Sequence, residues 1–169
     1  LLGQFLNSNI NQRSDAYGGS RAGRMRFLQE AIAATRRGAG EDMVLGVRLS
    51  GEEKDHHGVE IDEMLEVCAA MDANPALDYL NVTAGTLAGL AGSTHIVPPM
   101  AYEAAYTAPI AAAIKARVSK PVFVAGRINQ PQIAVAVLQS GQADMCGMTR
   151  ALISDPQMPA KAARGAIND

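Results

Sequence analysis

Short apolar runs rich in β-branched residues alternate along this chain with longer amphipathic runs, and turn residues separate them. Four of the short runs read as strands: Met43–Ser50 (MVLGVRLS), Leu77–Gly85 (LDYLNVTAG), Lys120–Gly126 (KPVFVAG) and Ala143–Met148 (ADMCGM). Ahead of the first, Met25, Leu28, Ile32 and Thr35 share one helical face. Ser20 is placed to cap that helix, Arg36 and Arg37 favour the dipole at its far end, and Gly38 or Gly40 stops it. Ile61, Met64, Leu65, Val67 and Cys68 mark a helix over Ile61–Met71, and the Ala-rich stretch Glu103–Arg117 marks another. Asn129, with Pro131 in the first turn, opens a helix that Gly141 closes, and Asp155-Pro156 opens the last one by the same device. The opening, Leu1–Gly19, and the Gly-rich stretch from Gly85 to Pro98-Pro99 have no period and read as loops. A helix followed by four strand–helix units predicts an α/β fold, with right-handed crossovers bringing the strands into one parallel sheet in sequence order.

Composition narrows the function classes. A formal charge of -2 and 4% aromatics without Trp give no support to a nucleic-acid surface or an acidic-membrane partner. Gly, Pro or charge interrupts the apolar stretches well before bilayer-spanning length, and no charged-then-apolar leader opens the chain. Cys68 and Cys146 lie in apolar runs outside any C-x-x-C or metal-ligand spacing, so both read as buried free thiols, which suits a cytoplasmic setting. The 169 residues suffice for one domain with a core. No G-x-G-x-x-G, Walker-type or G-x-S-x-G motif occurs.

In a parallel α/β sheet, ligands gather at the carboxyl ends of the strands. Gly126-Arg127 ends the third strand and Thr149-Arg150 ends the fourth. Each supplies backbone N–H groups and a cation just before a helix, which suits a phosphate, although either Arg could instead salt-bridge a neighbouring helix. Arg48 is a charge inside an apolar strand, which is costly unless paired. It could meet a helical carboxylate or point toward an anionic ring system at a barrel mouth. His56 and His57 lie in a polar loop, while His95 sits in the long loop where a substrate pocket could form. None has metal-ligand spacing, so no metal site is expected. The carboxylates from Asp42 to Glu63 read as a solvated loop and helix face.

Phe5, Leu6, Asn11, Arg13, Asp15, Tyr17, Gly18, Gly19, Arg24, Arg26 and Phe27 form a long pattern, QFLNSNINQRSDAYGGSRAGRMRFLQE. This pattern resembles the stretch after the fourth barrel strand in old yellow enzyme-type flavoproteins, and the rest of the chain aligns in register with that family. The resemblance implies the C-terminal half of a (β/α)8 TIM barrel: four parallel strands, five to eight, with outer helices, residues 1–169 forming a partial FMN-binding domain. It implies that Arg48 contacts the pyrimidine side of FMN and stabilises charge on the reduced ring. Gly126 and Arg127 would form one phosphate loop, Thr149 and Arg150 the other. Thr149 stands where many relatives have Gly or Ala, a change that keeps the backbone N–H. His95 and Tyr102 are placed, more weakly, toward substrate.

The tail ALISDPQMPAKAARGAIND is most similar to the multidomain branch of 2,4-dienoyl-CoA reductases, trimethylamine and histamine dehydrogenases and N-methylproline demethylase-like proteins. There, a [4Fe–4S] cluster and a site for NAD(P)H or FAD/ADP follow, which would lie outside this chain. The family's catalytic Tyr or His and nearby His or Glu precede the first residue, so no catalytic residue is assigned here. The expected function is part of an FMN-dependent oxidoreductase acting on a small molecule by hydride transfer. The alternatives are a phosphate-binding half-barrel module and an inactive truncated remnant. Open sheet edges and an apolar inner face predict self-association, or pairing with an N-terminal half barrel.

Overall fold

In the computed structural model, which describes residues 2–166, the four strands β1 (Gly46–Ser50), β2 (Tyr79–Thr83), β3 (Val122–Ala125) and β4 (Met145–Gly147) form one parallel sheet in sequence order. The strands form where β-branched residues alternate, because such side chains suit a pleated surface packed on one face. Leu80, Val82, Val122 and Val124 are fully buried on that face, beneath Val67, Cys68 and Met71 and Ala111 and Ile114. These last residues come from α3 (Ile61–Asp72) and α5 (Ala108–Lys115). Burying each large apolar side chain contributes about 1.5–3 kcal/mol, so the two central strands carry much of the core.

The period of two sends the other residues to the inner face: Arg48, Ser50, Asn81, Thr83, Phe123, Ala125, Met145 and Gly147 among them. This face is not the apolar surface expected from the sequence. Polar and small residues interrupt it, and its main apolar feature is the stack of Tyr79 on Phe123, with centroids 4.4 Å apart.

Carboxylates hold the feet of the strands. The Leu45 N–H donates to Asp78 Oδ2 at 2.6 Å, while the Asp78 N–H donates back to the Leu45 carbonyl at 2.8 Å. The same two-ended arrangement links Val122 with Asp144, both bonds being 2.8 Å. Each carboxylate also meets a cation, Arg36 on Asp78 and Lys115 on Asp144, both at 2.7 Å. Asp72 accepts from the N–H groups of Ser119 and Lys120 ahead of β3.

Several boundaries differ from the sequence reading. Every strand is shorter at its start, since Met43 and Val44 remain exposed and Leu77 and Ala143 enter the core before pairing begins. The opening contains a one-turn helix, α1 (Leu2–Leu6), and the Gly-rich stretch contains α4 (Leu90–Ile96). Helix α2 (Arg21–Ala39) is capped by Ser20 as expected and ends at Gly40, which adopts a φ of 83°. Helix α6 (Pro131–Gln139) follows Gln130 and not Asn129, without a side-chain cap. The C-terminal segment forms two helices, α7 (Thr149–Ser154) and α8 (Met158–Ala163). Asp155 turns the chain between them by accepting from the Gln157 N–H at 3.0 Å. Among the described residues, no helix is long and apolar enough to cross a membrane.

The opening pattern is a self-wrapped knot. Asn11 donates to the carbonyls of Phe5 and Tyr17, both at 2.8 Å. Arg24, nearly buried, donates to the carbonyls of Leu6 and Gly19 and pairs with Glu63. Gly18 is required because a Cβ there would lie 2.0 Å from the Arg13 carbonyl oxygen.

Candidate functional site

At the heads of the strands lies a cavity of about 660 Å³ whose wall includes Arg48, His95, Gly126, Arg127, Thr149 and Arg150. Residues about a hundred positions apart in the chain meet there because every strand of a parallel sheet ends on the same side.

Arg48 projects from β1 on the inner face, and its side chain makes no ion pair or hydrogen bond with any described residue. The helical carboxylate that could have paired with it is absent among the described residues. It remains hydrated because the face is open, and residue 48 is exposed. Its register neighbour Asn81 holds a buried Oδ1 with no partner.

Gly126 follows β3 and packs against the fully buried Thr107, where a Cβ would come within 2.3 Å of Oγ1. Arg127 takes the left-handed conformation, at a φ of 50°. Its guanidinium donates to the Pro99 carbonyl at 3.0 Å, and its own carbonyl accepts from the Ala105 N–H at 3.2 Å. Thr149 is the first residue of α7, one residue beyond the end of β4, and Arg150 beside it is exposed. No described carboxylate pairs with Arg127 or Arg150. Among the described residues, the one carboxylate lining the cavity, Asp155, is bonded to Lys161 at 3.1 Å. Three guanidinium groups thus surround a space with no carboxylate among the described residues free to neutralise them.

His95 lies on α4 and forms one wall. Its ring packs edge-on to Tyr102, with centroids 4.7 Å apart, and Nε2 lies 3.5 Å from the Tyr102 hydroxyl. Tyr102 stands behind His95 and is not itself in the wall. Burial, with Lys54 adding to it and Glu52 opposing, pushes the imidazole pKa below its ordinary 6.5, so the neutral ring is favoured. Nδ1 is buried without a partner among the described residues.

Sequence reasoning missed Tyr106, whose hydroxyl donates to the His95 carbonyl at 2.9 Å and whose pKa burial pushes up to about 12. The spacing of Tyr102 and Tyr106 was the available signal, hidden in what read as an Ala-rich helix. It also missed Glu53. That carboxylate is buried, not solvated, and accepts from Asn7 at 2.7 Å and from the Val59 N–H at 2.8 Å. His56 and His57 are exposed loop residues, and no described group of His, Cys, Asp and Glu could hold a metal ion.

Residues 1–169 match the NADH:flavin oxidoreductase / NADH oxidase family. The chain belongs to this family. It is 36% identical over 161 residues, 95% of its length, to N,N-dimethylglycine/sarcosine dehydrogenase of Chromohalobacter salexigens. It is 39% identical over 166 residues, 98% of its length, to a metal reductase of Desulforamulus reducens. Histamine dehydrogenase from Rhizobium sp. 4-9 superposes with a TM-score of 0.84 at 28% identity, over 99% of this chain and 23% of that one. These relatives set the chain in the old yellow enzyme family, in the branch that includes dimethylglycine/sarcosine and histamine dehydrogenases. The chain spans about a quarter of their length, 23% of the first and 24% of the second. Its four parallel strands are half of the eight in a (β/α)8 barrel.

Proposed function

We propose that this chain forms the phosphate side of the FMN site in an oxidoreductase that transfers hydride between the flavin and NAD(P)H or an amine or enoyl substrate. The observation that carries the reading is the convergence of Arg48, Gly126, Arg127, Thr149 and Arg150 on one cavity whose cations have no carboxylate partner among the described residues. That donor set suits a dianionic phosphate and an electron-rich ring edge.

FMN, when bound, supplies the ring that accepts and returns hydride. The N–H groups of Gly126 and Thr149, with Arg127 and Arg150, would hold its phosphate. Arg48 would sit at the pyrimidine side of the ring, where its uncompensated charge favours negative charge on the cofactor. His95, backed by Tyr102, would face the substrate as a neutral hydrogen-bonding group. A [4Fe–4S] centre and an NAD(P)H or FAD/ADP site would belong to the greater length of the relatives. The free edges of β1 and β4 would pair with an N-terminal half barrel or with another copy.

An FMN titration followed by flavin fluorescence, with riboflavin as the control lacking phosphate, tests this reading. Saturable binding of FMN with much weaker binding of riboflavin is the expected result. Equal affinity for both, or binding of neither, would remove the phosphate assignment.

A further inference from the structure

Helix α4 has little to hold it in place from its own sequence. It has seven residues, starts after Gly89 with no side-chain cap, and contains Gly92. Short helices are marginal in isolation, and Gly lowers helix propensity further, by about 1 kcal/mol. Yet this helix carries His95 into the cavity wall.

The missing cap comes from a different βα unit. Asp55, in the loop after β1, accepts from the Gly92 N–H at 3.0 Å through Oδ2. Glycines make the approach close. A Cβ on Gly89 would lie 2.2 Å from Asp55 Oδ2, and one on Gly92 would lie 2.9 Å from the Glu53 carbonyl oxygen. Gly85, at a φ of 94°, lies beneath, where a Cβ would meet the Gly92 carbonyl oxygen at 2.6 Å and His95 Cβ at 2.8 Å. The loop bearing Asp55 is itself pinned. Gly58 N–H donates to the Asp55 carbonyl at 3.0 Å, and buried Glu53 ties the loop to Asn7. Asp55 does not line the cavity.

We propose that Asp55 is a positioning residue: by capping α4 from the β1 loop it fixes His95 in the cavity wall. This rests on the reading that His95 faces substrate. The Gly92 N–H bond also holds the Asp55 carboxyl below its ordinary 3.8, so the cap is charged across the neutral range.

The test follows the imidazole signals of the purified protein by NMR against pH, with His95→Gln identifying the His95 resonance. Asp55→Ala should move the His95 midpoint up, toward the 6.5 of a free imidazole, because a loosened helix rehydrates the ring. Asp55→Asn keeps an acceptor oxygen and should restore the wild-type midpoint. FMN affinity should stay within about twofold in both, since Asp55 does not line the cavity; that constant separates failure of this inference from failure of the flavin reading. An unchanged His95 midpoint in Asp55→Ala, or an Asn variant no better than the Ala variant, would overturn the proposal. Should Asp55→Ala not fold, the wild-type Gly92 amide decides: its shift must follow a carboxyl titrating below 3.8, and a flat profile overturns the proposal.

Discussion

Arg48, Arg127 and Arg150 differ in what already holds them, and so in what each would lose on substitution. Arg150 makes no hydrogen bond or ion pair among the described residues, whereas Arg127 also supports the Pro99 carbonyl. Arg150→Met should therefore act on the ligand alone. Loss of a charge-assisted hydrogen bond costs about 1.5–3 kcal/mol, so FMN Kd should rise roughly ten- to a hundredfold while the riboflavin control stays put. Arg127→Met should weaken FMN as well and also lower the urea midpoint, because a loop contact is lost with the charge. Arg24 is the structural counterpart. It bonds two carbonyls and Glu63 from a nearly buried position, with 11% of the side chain exposed. Arg24→Ala leaves those acceptors and a partly buried carboxylate unpaired, and should cost about 3 kcal/mol in urea unfolding. Arg24→Lys should recover little of it, since an ammonium cannot reproduce the guanidinium fork.

At the scale of elements, the strand feet give the fold an acid limit. The Leu45 N–H, with Arg36, lowers the Asp78 pKa, and Lys115, with the Val122 N–H, lowers that of Asp144. For Asp72, burial raises the pKa, but the N–H groups of Lys120 and Ser119 outweigh it. All three lie below 3.8 in the folded chain, so their stabilisation is complete above that pH and fades as pH falls through the folded values. The share of the urea midpoint that these carboxylates supply should be flat near neutrality and drop below pH 3.8. Asp78→Asn with Asp144→Asn should lower the plateau and flatten the drop. Strand order and outer helices were legible because they follow from local periodicity: Leu80, Val82, Val122 and Val124 announce a one-sided strand wherever they occur. Helix α4 was not legible, because its cap is Asp55, far away in sequence, and its glycines look like a loop until the surface they pack on is known. That residues 126–127 and 149–150 meet at one cavity was readable from their place at strand ends. Tyr106 and Glu53 were not, since their roles depend on what folds against them.

For the whole molecule, β1 and β4 each present one edge that is unpaired among the described residues. Backbone edges of this kind pair with whatever strand reaches them. In sedimentation velocity at micromolar concentration, this chain should run larger than its 17.7 kDa. A single monomeric species would refute the edge-pairing assignment. The heads of the strands carry the cavity and the feet carry the fastenings, and a strand of five residues separates the two by about 15 Å. The fastenings have one property with a longer reach. Asp72, Asp78 and Asp144 grip backbone N–H groups, which every residue except proline offers alike. These fastenings are thus indifferent to the side chains of the residues they grip. Mutation can rewrite the residues at the cavity end while the alignment of the strands is inherited unchanged from the other, which lets descendants of one scaffold diverge in chemistry without first having to relearn how to fold.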